Sequence, residues 1–196
     1  MYKNETFYRT FLNINEKIHY SLKKAIEFSY TDEVMNDFIM FGKSTESEML
    51  AFYYVENAIF RTSTLWDVLA QFYNIHYDIG KAVNRIHYQS FFKNEFKTTP
   101  TNIKQNIDRI NDYIEEDDDT SMSEGLWKGN HQFIKDYRNQ MTHRNSPDEH
   151  SLSDVGISLK THPTFLLKRV IEDYYVTINF IDEILELIRK KHFEEN

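Results

Sequence analysis

Two residues in the C-terminal half of the chain, Arg138 and His143, have types and a spacing that suit phosphate chemistry. Arginine is a permanent cation whose planar fork binds a phosphate through parallel hydrogen bonds. Histidine exchanges protons near neutral pH, so it serves as a general acid or base. Closely spaced on one helix, the two side chains supply both groups needed to cleave RNA without a metal ion.

A similar spacing recurs at Arg144 and His150, but Pro147 lies between them and disfavours a helix there. Around the first pair, aromatic and apolar side chains recur at every fourth residue, at Phe133, Tyr137 and Met141. This period is typical of a helix with one buried face. Arg138 and His143 are therefore the stronger candidates for a functional pair.

The run Arg138-Asn139-x-x-x-His143, near the end of a late helix, resembles the HEPN superfamily of helical proteins. The resemblance implies a metal-independent endoribonuclease with Arg138 and His143 as catalytic residues, no cofactor, and a site shared across a homodimer. Many members are toxins or anti-phage effectors, so RNA is the implied substrate and an antitoxin protein a further partner. Members silenced by a nucleotidyltransferase often carry Tyr two residues after the His, where this chain has Asn145.

Some proteins of this kind have lost catalysis, which leaves a second hypothesis: a catalytically silent helical module that binds RNA or a protein. Convergence of Arg138 and His143 on an open cleft would favour the enzyme. A buried salt bridge at Arg138, with His143 alone in solvent, would favour the module.

The polar face of the motif helix contains further candidates for binding or positioning the substrate, namely Lys135, Asn139, Thr142 and Arg144. On a regular helix Arg138 and His143 lie about 140° apart, with Lys135, Asn139 and Thr142 between them. His131 falls in the same sector. We expect this face to point away from the core, toward water or a second copy of the chain.

A stripe of polar residues interrupts the long apolar helix that follows Thr45, at Glu56, Ser63, Asp67, Gln71 and Asn74. Two interpretations stay open at this point. The stripe is a hydrogen-bonded or exposed polar edge, or one of its carboxylates, Glu56 or Asp67, pairs with Arg138 and positions it.

Composition predicts an all-α protein. The 196 residues fit one domain, 1–196, and 15 Phe and 13 Tyr supply a large core. With only five Gly and three Pro, long helices are favoured, and we expect an up-and-down bundle of four to six helices. The absence of Cys excludes disulfides and thiol nucleophiles, and no motif for a metal is apparent.

Charge and hydropathy limit the kinds of partner that the chain is expected to bind. A net charge of −8 argues against a general nucleic-acid coat, although residues 126–144 are locally basic. No apolar run approaches the roughly 20 residues that span a membrane, and the N-terminus lacks a signal-peptide core. A cytoplasmic protein without a membrane partner is the simplest expectation.

The chain pattern predicts helices over about 8–28, 46–76, 85–96, 101–116, 123–144 and 164–193. The acidic run Glu115–Asp119 is expected to be a solvated loop, or alternatively a negative flap that excludes RNA. Residues 145–162 are expected to be a long connection, with a short strand over 155–159.

Overall fold

The computed structural model describes residues 2–38, 43–96, 101–118, 127–143, 151–153, 156–158 and 160–194. Its elements in chain order are α1 (Tyr2–Ser29), α2 (Asp32–Asn36), α3 (Glu46–His76), a 3-10 turn (Val83–Arg85), α4 (Tyr88–Glu95), α5 (Thr101–Glu115), α6 (Asn130–His143), β1 (Ser151–Ser153), β2 (Gly156–Ser158) and α7 (Pro163–Glu194). The predicted all-α bundle is confirmed. Five of the described helices are long, and α2 and α4 are short.

The predicted strand over 155–159 is confirmed as β2, which pairs antiparallel with β1, Leu152 lying opposite Ile157. This hairpin lies within the predicted long connection. The chain after it is anchored at Lys160, a buried side chain that forms an ion pair with Glu48 and donates a 2.7 Å hydrogen bond to Ser44 Oγ.

Helix α3 is the centre of the bundle, because most of its circumference is apolar and buried. It begins after Thr45, whose hydroxyl accepts the amide hydrogen of Glu48. Helix α1 runs antiparallel to it, so that Phe11 packs against Phe72 near one end and Phe28 against Tyr54 near the other. Helices α5, α6 and α7 cover the other side of α3.

The motif helix α6 begins at Asn130, so the prediction that it starts near residue 123 was wrong. The reason lies in Gly129, which has a φ of +62° and cannot continue a right-handed helix. A Cβ at this position would lie 2.2 Å from the backbone carbonyl carbon of Asp117. The chain therefore needs glycine here, and the close contact with 117–118 sets where α6 starts.

The acidic run ties α5 to its neighbours, which the prediction of a solvated loop or negative flap did not anticipate. Glu115 pairs with Lys93 of α4 at 2.8 Å, and Glu116 accepts the Gly129 amide hydrogen at 3.0 Å. Asp118 pairs at 2.7 Å with Arg169, which is 1 % exposed and lies over the rings of Trp127, Phe133 and Phe165. Residue 119 lies outside the described residues.

Among the described residues, none of the helices combines the length and the apolar character needed to cross a membrane.

Replacing Gly129 with Ala should destabilise the fold more than replacing Gly80 with Ala. Both glycines have positive φ, so each variant carries about 1–2 kcal/mol of left-handed strain. Only Gly129 adds a backbone clash, because nothing lies within 4 Å of a Cβ built at Gly80. Urea unfolding of the two variants measures the difference, and equal free energies of unfolding would contradict this account of the α6 start.

Candidate active site

Helix α6 packs against the core along its length, from His131 near its N-terminal end to Met141. His131 is 2 % exposed and packs edge-on against Trp66 of α3, with ring centroids 4.8 Å apart. The prediction that His131 faces away from the core was therefore wrong. Arg138 lies two turns further along the same side of α6, since seven residues return to nearly the same angle. This side of α6 faces α3 and α4 of its own chain.

A buried carboxylate, Asp173 of α7, collects three hydrogen bonds from three other helices. Oδ1 is 3.0 Å from His131 Nδ1 and accepts the Tyr113 hydroxyl at 3.1 Å. Oδ2 accepts the indole N–H of Trp66 at 3.3 Å. Asp173 is fully buried, so these donors replace the water that the carboxylate has lost.

For a neutral His131 ring, these bonds determine which ring nitrogen carries the proton. Because Asp173 accepts, the proton of a neutral His131 ring lies on Nδ1 and leaves Nε2 as an acceptor. Nε2 is 2.8 Å from the Tyr88 hydroxyl, which is therefore the donor. Tyr88 is the first residue of α4 and is only partly buried. A chain of hydrogen bonds thus leads from Asp173 outward to Tyr88.

Asp67 of α3 lies at the outer end of this chain, where its Oδ1 accepts the backbone amide hydrogen of Tyr88 at 3.1 Å. Burial raises the pKa of Asp67, while the Tyr88 amide and the nearby charges of His87 and Arg138 lower it. Burial also raises the pKa of Tyr88. The charges of Asp173 and Asp67 raise this pKa further, and the charge of Arg138 lowers it. The charge of Arg138 therefore acts on both Asp67 and the Tyr88 hydroxyl.

The guanidinium of Arg138 is half-buried, and it donates no hydrogen bond and forms no ion pair with any group in the described part of the chain. It is a cation near one carboxylate but not neutralised by direct contact. Of the two carboxylates considered as partners for Arg138, Asp67 lies near it. Glu56 is half-buried on the same side of α3, three turns before Asp67.

The other predicted site residues have mixed surroundings. Lys135 and Asn139 are half-buried, and Lys135 Nζ donates to Gln132 Oε1 at 3.3 Å. Thr142 is exposed, and its hydroxyl lies 3.2 Å from the Arg138 carbonyl and 3.1 Å from that of Asn139, so it already serves the helix backbone. The side chain of His143 and all of Arg144 lie outside the described residues.

Two further residues of the α3 stripe, Asn74 and Ser63, serve local structure. Asn74 exchanges two 3.0 Å hydrogen bonds with the backbone of Lys81, and the Ser63 hydroxyl donates to the Ile59 carbonyl. The interpretation of a hydrogen-bonded edge fits these two residues. Asp67 also has a structural role, because it caps the first amide of α4. Within the described ranges, no three His, Asp or Glu side chains are grouped as a metal site.

The residues that the sequence reasoning missed are Tyr88, His131 and Asp173. A signal for Asp173 was present, since it recurs with the buried positions of α7 at Leu166, Val170 and Phe180. A carboxylate at a core position requires buried donors. Nothing in the linear sequence identifies which Tyr, His and Trp supply them, because they come from three other helices.

Replacing Asp173 with Asn should cost about 3 kcal/mol or more of unfolding free energy, because the amide NH₂ would face one of the donors that now bind a carboxylate. Glu183→Gln is the matched control on α7. Glu183 forms a solvent-accessible pair with Arg109, at 3.0 Å, and pairs of that kind contribute about 1 kcal/mol at most. Urea denaturation of both variants tests the contrast, and a similar small loss for both would refute a central role for Asp173.

Comparison with known proteins adds no further residue to this site. No model of a protein family matches the chain, and no curated protein or solved structure shows significant similarity to it. The resemblance to the HEPN superfamily therefore stays a prediction that rests on the Arg138–His143 motif and the expected helical architecture.

Proposed function

We propose that this protein is a metal-independent endoribonuclease of HEPN type that cleaves RNA with Arg138 and His143. The observation that carries the proposal is the state of Arg138. Its guanidinium is half-buried beside Asp67 and Tyr88, and it has no hydrogen-bonded partner among the described groups. Structural arginines in the same chain are paired, as Arg169 is with Asp118. An arginine held in this way retains its donors for a phosphate.

The chemistry assigned to the pair is transesterification by the ribose 2′-hydroxyl. Arg138 stabilises the negative charge that develops on the phosphate oxygens. His143, five residues later on α6, exchanges a proton with the attacking or the leaving oxygen. No cofactor takes part in this reaction, and its products are a 2′,3′-cyclic phosphate and a 5′-hydroxyl.

The neighbouring residues receive supporting roles. Asp67 holds the orientation of Arg138 by charge attraction without occupying its donors. Lys135 and Asn139, one turn before Arg138 and directly after it, bind the RNA backbone, and Arg144 extends the positive charge beyond α6. Thr142 acts through the helix backbone, because its hydroxyl is held by the carbonyls of Arg138 and Asn139. Glu56 marks the far end of the site along α3.

We assign the homodimer contact to an apolar stripe of α3 formed by Met49, Tyr53 and Phe60. These side chains are exposed by 56 %, 57 % and 41 %. Phe60 lies two turns before Asp67 on the same side of the helix, so the stripe leads to the site. A two-fold contact there would bring two copies of the site toward one cleft. The toxin or anti-phage role and an antitoxin partner rest on the resemblance alone.

The same stripe is the observation that favours the second candidate, a catalytically silent module. Exposed aromatic and Met side chains are typical of protein-binding surfaces. In that case the stripe binds a protein partner, Arg138 contributes only charge, and RNA integrity is unaffected by the protein.

Arg138→Ala and His143→Ala should each lower RNA cleavage by about 10²–10⁴-fold, because each removes one positioned catalytic group. Cleavage of a purified RNA by purified protein, together with growth arrest on expression, provides the measurement. The matched controls are Arg109→Ala, on a surface arginine of α5, and Arg144→Ala with His150→Ala from the second motif. Arg109→Ala should keep wild-type activity, whereas Arg144→Ala and His150→Ala should each have a much milder effect than the two catalytic variants.

Full cleavage by the Arg138 and His143 variants would overturn the proposed site. Loss of activity only in the Arg144 and His150 variants would move the site to the second motif. Intact RNA with the wild-type protein under all conditions would favour the binding module.

A further inference from the structure

We infer that Tyr88 is a third catalytic group, whose phenolic oxygen takes the proton of the ribose 2′-hydroxyl, with His131 and Asp173 behind it as positioning residues. The inference rests on the proposed function and names its base. It follows from a hydrogen-bonded chain that starts at a fully buried carboxylate and ends at Tyr88, on the side of α6 that also carries Arg138.

The hydrogen-bond directions leave the Tyr88 oxygen as an acceptor toward the site. When His131 is neutral and its Nδ1 donates to Asp173, the Tyr88 proton points at Nε2, 2.8 Å away. A hydroxyl whose proton is engaged in this way presents only lone pairs to an approaching ligand. It can receive the proton of a sugar hydroxyl, but it cannot donate to a phosphate oxygen.

The surroundings of Tyr88 hold it in place, on the side of α6 that carries Arg138. Arg138 and Asp67 both act on the charge of the Tyr88 hydroxyl. The Tyr88 backbone amide is bound to Asp67, which fixes the start of α4 relative to α3. The ring contacts both Trp66 and His131, whose ring centroids are 5.8 Å and 5.4 Å away. A phosphate on Arg138 would therefore bring its ribose toward an immobilised hydroxyl.

The proposed step forms one bond and breaks one bond at phosphorus. The 2′-oxygen forms a bond to phosphorus and gives its proton to the Tyr88 oxygen, while the phenolic proton moves to His131 Nε2. The bond between phosphorus and the 5′-oxygen breaks, and the 5′-oxygen takes a proton from His143. The imidazolium formed on His131 is stabilised by Asp173, as in other acid–base chains that end on a buried carboxylate. Exchange with water then restores both histidines.

A second tyrosine in the same cluster provides an internal comparison. Tyr113 donates its hydroxyl directly to Asp173 Oδ1 at 3.1 Å. Burial is the main reason that the pKa of Tyr113 is raised, and the charge of Asp173 raises it further. Arg138 is not among the groups that act on this pKa. Tyr113 thus shares the structural role of Tyr88 without its position beside the cation.

The test compares Tyr88→Phe with Tyr113→Phe in the full-length protein. Each substitution removes one hydroxyl from the cluster and keeps the ring. We expect Tyr88→Phe to lower kcat for RNA cleavage by about 100-fold or more, with KM changed less than about threefold. Tyr113→Phe should keep kcat within about threefold of wild type. Binding of a 2′-deoxy oligonucleotide, measured by fluorescence anisotropy, should be equal for wild type and Tyr88→Phe, because that ligand lacks the hydroxyl.

Wild-type kcat in Tyr88→Phe, or an equal loss in both Phe variants, would overturn the inference and leave the Arg138–His143 site standing. Wild-type cleavage by both Arg138→Ala and His143→Ala would overturn the proposed function itself. If Tyr88→Phe fails to fold, His131→Gln replaces it, since Gln retains hydrogen bonding but accepts no proton. The same loss of kcat is then expected, and wild-type kcat would again refute the inference.

Discussion

The buried carboxylate of Asp173 is the constraint on which the site depends. A carboxylate without water is stable only when donors surround it, and here they come from α3, α5 and α6. Because His131 also binds Tyr88 of α4, five helices meet at one point. The relative positions of these helices are therefore specified by hydrogen bonds as well as by apolar packing, which tolerates small shifts more readily.

The same cluster fixes the position of α6, the helix that carries Arg138. His131 anchors the start of α6 in the core, and Asp67 anchors the start of α4 on α3. Arg138 lies two turns after His131 on the same side of α6, and its charge acts on Asp67, but no carboxylate among the described residues contacts it. A cation held in this way keeps its hydrogen-bond donors for an anion. The acidic segment after α5 contributes indirectly, because its contact with Gly129 sets where α6 begins.

The sequence predicted most of the fold, since α1 and α5 follow a clear apolar repeat and α3 and α7 are rich in apolar residues. The start of α6 was missed because it depends on a backbone contact between Gly129 and Asp117, which are distant in the sequence pattern. Arg138 was predicted from its type and its spacing to His143. The hydrogen-bonded chain of Tyr88, His131 and Asp173 was not predicted. Its residues are far apart in the sequence, and they contact each other only because α4, α6 and α7 pack together.

The central claim is that the chain cleaves RNA through its own side chains by attack of the 2′-hydroxyl. The most direct measurement is the identity of the RNA ends formed by purified wild-type protein in excess EDTA. The account predicts that cleavage persists and leaves 2′,3′-cyclic phosphate and 5′-hydroxyl ends. Cleavage that requires a divalent ion, or that leaves 5′-phosphate ends, would contradict it.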